Sequence, residues 1–414
     1  MSAASVALWR RRDFLKLWAG QAVSLLGSQV TLLALPLTAV LLLHASAAQM
    51  GLLRAVTSVP ALLFGLLAGV VADRVRRRPL LIRTNIGRAL LLGSIPVAAV
   101  LGLLRLGHLF FIAFATGTLT VFFEVAYTAY LPTLVTPPQL VEGNSRLETT
   151  RAVAQFAGPG VAGVLIQWLT APLAIGVDAL GFLVSTVFLG TIHTVEPALR
   201  ARGARASVWR EIAEGLRAVQ AEPTLRALAG SSAIFNLFDN MLLAVYVVYV
   251  TRTLGLPPAA IGGILAVGGL GSLVGALLAS RVAGAIGLGR TLLGGVVMAS
   301  LAEGGIALAH GPQVALILAL AEAAVQCGAL LYTVNNVSLR QALVPGPLRG
   351  RVTGTVRFLT WGVAPIGAIL GGMVGERYGL RSAVLVAALG TTGACLWLAL
   401  SPVRAMRAYP ASLT

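Results

Sequence analysis

Long apolar runs dominate this sequence and restrict what it can fold into. Twelve of them are long enough to cross a bilayer as a helix, which takes about 20 residues. Hydrophobic residues make up 57% of the 414 residues and charged residues only 11%, whereas soluble domains carry roughly 25% charged residues. Because so few charges cannot cover a soluble surface, we predict a membrane protein rather than a soluble, disordered, collagen-like or coiled-coil chain.

The twelve runs predict an all-α membrane protein with twelve transmembrane helices. Most breaks between them carry proline or glycine, as in Pro137-Pro138 and Pro345-Gly346-Pro347, and residues of this type end helices. The alternation of a transmembrane β-strand is absent. The predicted spans are 16–43, 50–72, 80–104, 108–131, 150–169, 173–193, 226–251, 258–282, 290–310, 313–335, 352–375 and 380–401.

The basic residues predict the orientation of these spans. If both termini are cytoplasmic, only four of the 31 lysines and arginines fall in outside loops, and Arg54 and Arg88 fall within spans. Cytoplasmic loops are enriched in lysine and arginine. We therefore expect a multi-pass protein of the bacterial cytoplasmic (inner) membrane with both termini inside.

A polar stretch in the middle divides the chain. Residues 1–193 and 226–414 each hold six spans, and 194–225 is predicted to be a cytoplasmic linker. Within it, Ser207 to Ala221 has the pattern of an amphipathic helix along the inner membrane surface. Its apolar face comprises Val208, Ile212, Leu216 and Val219.

The two halves are similar in sequence. Arg151 and Arg357 each lie eight residues before a proline, and Tyr127-Thr128 matches Tyr332-Thr333 at nearly the same separation. Duplicated six-helix halves that move about a central site are typical of transporters. We predict two pseudo-symmetric six-helix bundles.

The loop after the second run carries the sharpest motif. It reads Gly69-Val-Val-Ala-Asp73-Arg74-Val75-Arg76-Arg77-Arg78, and Gly65 and Gly69 are spaced for the close approach of another helix. A basic inner loop explains the arginines, but it does not explain the acid and the glycine. Here the chain resembles the major facilitator superfamily, from whose signature it departs at Arg76.

Two further stretches resemble the branch of that superfamily that contains the enterobactin exporter and macrolide efflux proteins. They are Arg12-Asp13-Phe14-Leu15-Lys16-Leu17-Trp18 and the stretch from Leu131-Pro132 to Asn144. The resemblance implies the twelve-helix fold, alternating access and, usually, proton-driven export. It also implies that Asp73 and Arg74 help to hold an inner gate closed.

A glycine-rich motif in the fifth run matches the antiporters of the superfamily except at Ala162. Its residues Gly158, Pro159 and Gly163 favour close helix packing. A packing seam explains the motif equally well, so export as the direction of transport stays open.

Three carboxylates within predicted spans are candidates for proton coupling. A charge within the hydrocarbon is costly and is therefore a functional candidate, and a buried carboxylate can be protonated on one side and released on the other. We rank Glu322 first, then Asp239, then Glu124. For each, a satisfied hydrogen bond or a pair with an intramembrane arginine is the alternative. Asp178, Glu303 and Arg88 lie on spans that are peripheral in the superfamily, and we predict structural roles for them.

Polar residues on runs one, four, seven and ten are candidates for a substrate cavity. The superfamily fold places these four spans around its central cavity, so the polar stripes are mutually consistent. The candidates are Gln21, Ser24, Ser28, Gln29, Thr120, Asn236, Asn240, Gln326, Thr333 and Asn336.

The sequence does not indicate an enzyme, a metalloprotein or a nucleic-acid-binding protein. Lys16 is the one lysine, so the chain cannot form a Gly-xxxx-Gly-Lys-Ser/Thr nucleotide loop. No catalytic or metal-binding motif is present. The net charge of +17 is spread over short loops, which does not fit nucleic-acid binding. We expect no enzyme activity, no cofactor and no metal.

The sequence favours a secondary transporter, functional as a monomer, that exports an amphipathic small molecule such as a drug or a siderophore in exchange for protons. An importer or facilitator of a small solute on the same fold is one alternative. A lipid flippase is the other.

Overall fold

A computed structural model describes residues 8, 11–194, 196 and 208–409 of the chain. This part is helical, and none of its residues lies in a strand. Twelve helical segments in it are long and apolar enough to cross a membrane, and each overlaps one predicted run. The twelve predicted spans are confirmed.

The described part contains fourteen α-helices, because one span is broken and one helix is not a span. Their bounds are α1 Arg12–Leu37, α2 Ala47–Arg74, α3 Arg77–Val100, α4 Leu106–Leu134, α5 Leu140–Leu169, α6 Ala171–Gly190, α7 Val208–Ala221, α8 Pro223–Val248, α9 Pro258–Ile286, α10 Leu288–Leu308, α11 Val314–Leu343, α12 Gly346–Gly362, α13 Ala364–Tyr378 and α14 Leu380–Ala399. The break between α12 and α13 falls at Val363, two residues before Pro365, which has no N–H to donate to the helix.

The chain divides into two compact units that do not follow the sequence strictly. Unit 1 comprises Met1–Ala45 and Val59–Ala201, and unit 2 comprises Ser46–Ser58 and Arg202–Thr414. Helix α2 therefore contributes its first part to unit 2 and the rest to unit 1. Pro60 lies inside α2, two residues after this division.

The two units repeat the same pattern of helix packing. In unit 1, α1 packs against α5 and α6, and α3 packs against α4 and α6. In unit 2, α8 packs against α13 and α14, and α10 packs against α11 and α14. This correspondence supports the internal repeat that the sequence indicates.

The turns repeat as well. The pairs of residues with positive φ at corresponding turns are His44 and Gly255, Gly102 and Gly311, and Thr170 and Gly379. A π-helical turn also ends the first span of each unit, at Thr38–Leu42 and Tyr249–Thr253. Since His44 and Thr170 hold a conformation that favours glycine, the repeat preserves backbone geometry where the residue type has changed.

Helix α7 lies within the predicted linker and packs against α8 and α12. Val219 is buried in a cluster with Val344, Val352 and Val356, and the Glu214 carboxylate accepts a hydrogen bond from Arg351 at 2.5 Å. Leu216 is 37% exposed, and the side chains of Val208 and Ile212 lie outside the described part. Of the described apolar face of α7, Val219 packs within unit 2 and Leu216 stays exposed, so contact of this helix with the membrane surface stays a prediction.

Candidate functional site

Three carboxylates approach one another inside unit 2. Asp239 lies on α8, Glu303 on α10 and Glu322 on α11, and each interacts electrostatically with at least one of the others. Glu303 is fully buried, Glu322 is 7% exposed, and Asp239 is half-buried. We call Asp239, Glu303 and Glu322 the acidic cluster.

Residues of α9 and α11 line the space around the Glu322 side chain. The Gln326 side-chain amide donates to a Glu322 carboxylate oxygen at 3.0 Å, and the Ser272 hydroxyl of α9 donates to the Gln326 carbonyl oxygen at 3.4 Å. Gly268 of α9 makes room, because a Cβ atom there would lie 2.6 Å from the Glu322 Cγ. Glu322 is thus held by one polar chain that links α9 and α11.

A tyrosine hydroxyl also lies near Glu322. Tyr246 of α8 interacts electrostatically with it, and the Tyr246 hydroxyl is buried without a hydrogen-bond partner in the described part of the chain. A buried hydroxyl without a partner is costly. This donor is therefore available to a ligand or to a rearranged carboxylate.

Asp239 faces an arginine from the first part of α2. The Arg54 guanidinium donates to the Asn240 side-chain oxygen at 3.1 Å and is attracted electrostatically by Asp239. Asn240 in turn donates to the Asn236 carbonyl oxygen. Sequence reasoning assigned Arg54 no role, although an arginine within a span is a signal that could have found it.

Glu303 was predicted to be a structural residue on a peripheral span. In the structure its side chain faces α14, where the Thr391 hydroxyl donates to the Ala387 carbonyl oxygen. Its electrostatic contact with Asp239 and Glu322 makes it part of the acidic cluster. The sequence could not reveal this, because the contact depends on how three separate helices pack.

The remaining unit 2 candidates lie apart from Glu322. Thr333 is exposed, whereas Asn336 is 2% exposed and donates to Tyr332 and to Ser232. The Tyr332 ring also stacks on Phe235, with 5.6 Å between ring centroids. The structure therefore brings Gln326 to Glu322 but places Asn336 in a buried contact between α8 and α11.

The candidate residues of unit 1 are spread along α1 and α4. Glu124 is exposed, and its backbone carbonyl accepts from the Thr128 hydroxyl. Ser24 is 3% exposed. The half-buried members of the set are Gln21, Ser28, Gln29 and Thr120.

The glycine motif of α5 packs against α1. Gly158 is buried, and a Cβ atom there would lie 2.5 Å from Cβ and Cγ of Gln29. Gly163 is also buried, and Pro159 lies inside the helix. The motif therefore sets how closely Gln29 can approach α5.

The loop motif between α2 and α3 contacts the region after α6. The Glu196 carboxylate accepts from the backbone N–H groups of Arg77 and Arg78, both at 2.7 Å. The Arg78 guanidinium donates to the carbonyl oxygens of Leu189 and Gly190 at the end of α6. These contacts match the helix dipoles, since an acid lies at the start of α3 and a cation at the end of α6. Sequence reasoning missed Glu196.

The other residues of this motif have fewer described contacts. Arg74 is exposed, and the side chain of Asp73 lies outside the described part. Among the described residues, no heavy atom lies within 4 Å of a Cβ built at Gly65 or Gly69. The close helix approach that we expected at these two glycines is therefore not formed within the part of the chain that the structure describes.

Unit 1 contains a second buried polar cluster. The Arg88 guanidinium lies 4.2 Å from the ring centroids of both Phe123 and Phe182 and donates to Asn85. Asp178, which attracts Arg88 electrostatically, accepts from the Thr31 hydroxyl at 2.5 Å. This cluster joins α1, α3, α4 and α6.

Comparison with known proteins places the chain in a family. The family model described as "transmembrane secretion effector" matches residues 3–412. The chain belongs to this family of the major facilitator superfamily. The resemblance to the efflux branch is confirmed, and the family is one of transporters.

Two efflux proteins are among its relatives. The multidrug efflux pump Tap of Mycolicibacterium fortuitum is 27% identical over 379 residues, which cover 88% of this chain and 89% of Tap. The macrolide efflux protein A of Streptococcus pyogenes is 24% identical over 225 residues, which cover 53% of this chain and 54% of that protein.

Solved structures confirm the fold. The nucleoside transporter NupG (D323A mutant) superposes with a TM-score of 0.78 at 12% identity, covering 94% of this chain and 99% of NupG. A bacterial homologue of the iron transporter ferroportin, in an inward-facing state, gives a TM-score of 0.74 at 17% identity, covering 95% and 98% of the two chains. The chain is therefore a multi-pass membrane transporter with twelve spans that acts on a small molecule in a lipid bilayer.

Proposed function

We propose that this protein exports an amphipathic small molecule across the bacterial cytoplasmic membrane in exchange for protons. The observation that carries the proposal is the acidic cluster of unit 2, in which Asp239 and Glu322 lie within electrostatic range of each other. Two nearby carboxylates repel each other when both are ionised, so proton binding at one is coupled to the charge of the other.

Glu322 is the main coupling acid in this proposal. The carboxylate is almost completely buried, so any change in its charge alters the local energy strongly. Gln326 can donate to the ionised form, and Tyr246 offers a second donor nearby. The pocket can therefore hold Glu322 in either protonation state, as a proton carrier must.

Asp239 links the cluster to Arg54, and Glu124 is the remaining candidate. Glu124 is exposed in this structure and is not enclosed by neighbouring helices as Glu322 is. We therefore rank it last for proton coupling. Substrate would contact the polar residues of α1, α4, α8 and α11 that the sequence singles out, with Asn240, Asn236 and Gln326 nearest to the acidic cluster in sequence.

The organisation of the protein follows from the same proposal. Residues 1–193 and 226–414 would form the two moving halves, and 194–225 the cytoplasmic linker, with both termini cytoplasmic. A single chain supplies both halves and would act as a monomer. The motif with Gly69, Asp73, Arg74, Arg77 and Arg78 would close the inner side.

Efflux measurements test the proposal. Cells that lack their own drug pumps are loaded with ethidium or radiolabelled erythromycin, and export is followed with and without a proton uncoupler. The expected result is export that stops when the proton gradient collapses. Export that continues unchanged, or uptake instead of export, would contradict the proposal.

The Glu322→Gln variant tests the assigned residue. Glutamine keeps the shape of the side chain but cannot carry a proton, so uncoupler-sensitive export should be lost while the amount of folded protein is unchanged. Glu148→Gln is the matched control, because the Glu148 side chain is 71% exposed. Normal export by Glu322→Gln would move the coupling role to Asp239.

A further inference from the structure

The first part of α2 is held in unit 2 by three kinds of contact. At its start, the Glu376 carboxylate of α13 accepts from the Ala48 backbone N–H at 3.2 Å. In its middle, Ala55 packs against Ala244 and Ala368 in a buried cluster. At Arg54, the guanidinium reaches Asn240 and Asp239. The three contacts together fasten the segment Ser46–Ser58, which we call the docked segment.

The packing of the docked segment against α13 is very close. A Cβ atom at Gly51 would lie 2.5 Å from the Ala368 carbonyl oxygen and 2.8 Å from the Gly372 Cα. Small residues allow such an approach between helices. The docked segment and α13 therefore pack closely at this interface.

The helix is weakened where the docked segment ends. Pro60 lacks the N–H that would bond to the Val56 carbonyl oxygen. The hydroxyls of Thr57 and Ser58 donate back to the Arg54 carbonyl oxygen at 2.6 and 2.9 Å, a pattern that bends helices. The docked segment can therefore change direction at this point without unfolding the rest of α2.

The polar contact at Arg54 depends on the charge of Asp239. The Arg54 Nε is buried and has no hydrogen-bond partner in the described part of the chain, where no ion pair within 4 Å joins Arg54 to Asp239 either. The guanidinium is thus held by one neutral amide and by the field of a nearby carboxylate. Besides Arg54, the charged groups of the described residues that face Asp239 are Glu303 of α10 and Glu322 of α11.

We infer that Arg54 is a positioning residue that fastens the docked segment to unit 2 while Asp239 is negatively charged, and that releases it when Asp239 becomes neutral. Loss of the negative charge leaves a half-buried cation with one amide partner, and a buried cation without a counter-charge is strongly destabilising. The docked segment then leaves, turning at Pro60. The inference rests on the proposed function only for what neutralises Asp239, which is a proton or a cationic substrate.

A disulfide crosslink measures whether the segment is docked. A Cβ atom at Gly375 would lie 3.2 Å from the Ala47 Cβ, close to the Cβ separation of a disulfide. The pair Ala47→Cys and Gly375→Cys is introduced into the full-length protein after Cys327 and Cys395 are replaced by alanine. The rate of crosslinking by copper phenanthroline is then followed in membranes at one fixed pH.

The variants change the charge at one site at a time. Asp239→Asn removes the attracting charge and Arg54→Gln removes the attracted one, so each should slow crosslinking by about tenfold. Because both act on one contact, the double variant should be no slower than either single one. Arg54→Lys should keep part of the rate.

Glu322→Gln separates this inference from the proposed function. It removes a negative charge that repels the ionised Asp239, so Asp239 keeps the charge that holds Arg54 and the crosslinking rate should not fall. Export should nevertheless be abolished. Normal crosslinking in both Asp239→Asn and Arg54→Gln would overturn the inference and would leave the export result standing.

A second measurement covers the case in which the cysteine pair disturbs folding. Ala55 is 3% exposed, so a single Ala55→Cys should react slowly with N-ethylmaleimide. Asp239→Asn should speed this alkylation by about tenfold if the segment is released, on the same energetic ground. Equal alkylation rates of the Ala55→Cys protein with and without Asp239→Asn would also overturn the inference.

Discussion

An arginine faces an acid in each unit, but the two pairs are built differently. In unit 1, Arg88 is 4% exposed, lies between two aromatic rings and faces Asp178. In unit 2, Arg54 is half-buried, reaches one amide and faces Asp239. The first pair is enclosed by helices of its own unit. The second pair joins α8 to the docked segment, whose release we propose.

A facing glycine makes room for a buried carboxylate in each unit. In unit 1, a Cβ at Gly27 would lie 2.5 Å from an oxygen of Asp178, and in unit 2 a Cβ at Gly268 would lie 2.6 Å from the Glu322 Cγ. The carboxylate of Asp178 is bound by a hydroxyl of the helix beside it, while Glu322 is bound by Gln326 on its own helix. A similar packing arrangement thus accommodates an acid for which we predict a structural role in one unit and a proposed proton carrier in the other.

The largest expected effect is on the arginine of unit 1. Arg88→Ala removes the cation that attracts the buried Asp178 carboxylate and that packs on two aromatic rings, and a buried charge left without its partner costs about 3 kcal/mol. We expect a marked fall in the thermal unfolding midpoint of the purified protein in detergent. Arg83→Ala, which removes an exposed arginine from the same helix, is the control. Equal midpoints for the two variants would remove the structural role assigned to Arg88.

An intermediate effect is expected from filling the space beside Glu322. Gly268→Ala forces the Glu322 side chain to move, so export should fall by about tenfold or more, as small displacements of reacting groups do. Gly263→Ala on the same helix is the matched control, because no heavy atom of the described residues lies within 4 Å of a Cβ there. Transport of labelled substrate per folded molecule checks this. Full activity in Gly268→Ala would mean that the exact position of Glu322 does not matter.

The smallest expected effect concerns the start of the docked segment. Glu376→Gln weakens the cap on the Ala48 N–H, and losing a cap costs about 0.5–2 kcal/mol. Crosslinking of the cysteine pair at positions 47 and 375 should slow by only a few-fold, less than in Arg54→Gln. Glu142→Gln, on the surface of unit 1, should change nothing. If Glu376→Gln slowed crosslinking more than Arg54→Gln, the main contact would lie at the start of the docked segment and not at Arg54.

The sequence predicted the spans well, because the length of an apolar run is a local property. It also singled out Glu322 and Asp239 as candidates, since a carboxylate within a span is unusual wherever it lies, and their coupling role stays a prediction. It could not predict that Glu303 joins them or that Arg54 faces Asp239, because those contacts depend on how separate helices pack. Thr333 and Asn336 share a helical face with Glu322 by periodicity alone. However, 14 residues of helix extend about 21 Å, so Asn336 has other neighbours.

The most direct test of the account measures protons and substrate in the same vesicles. The purified protein is reconstituted into liposomes that contain a pH-sensitive dye, and an ethidium gradient is imposed. The account predicts that ethidium moving in one direction drives protons in the other in the wild type and in Glu148→Gln, and that this proton movement is absent in Glu322→Gln. Ethidium flux without proton movement in the wild type, or a full proton signal in Glu322→Gln, would contradict it.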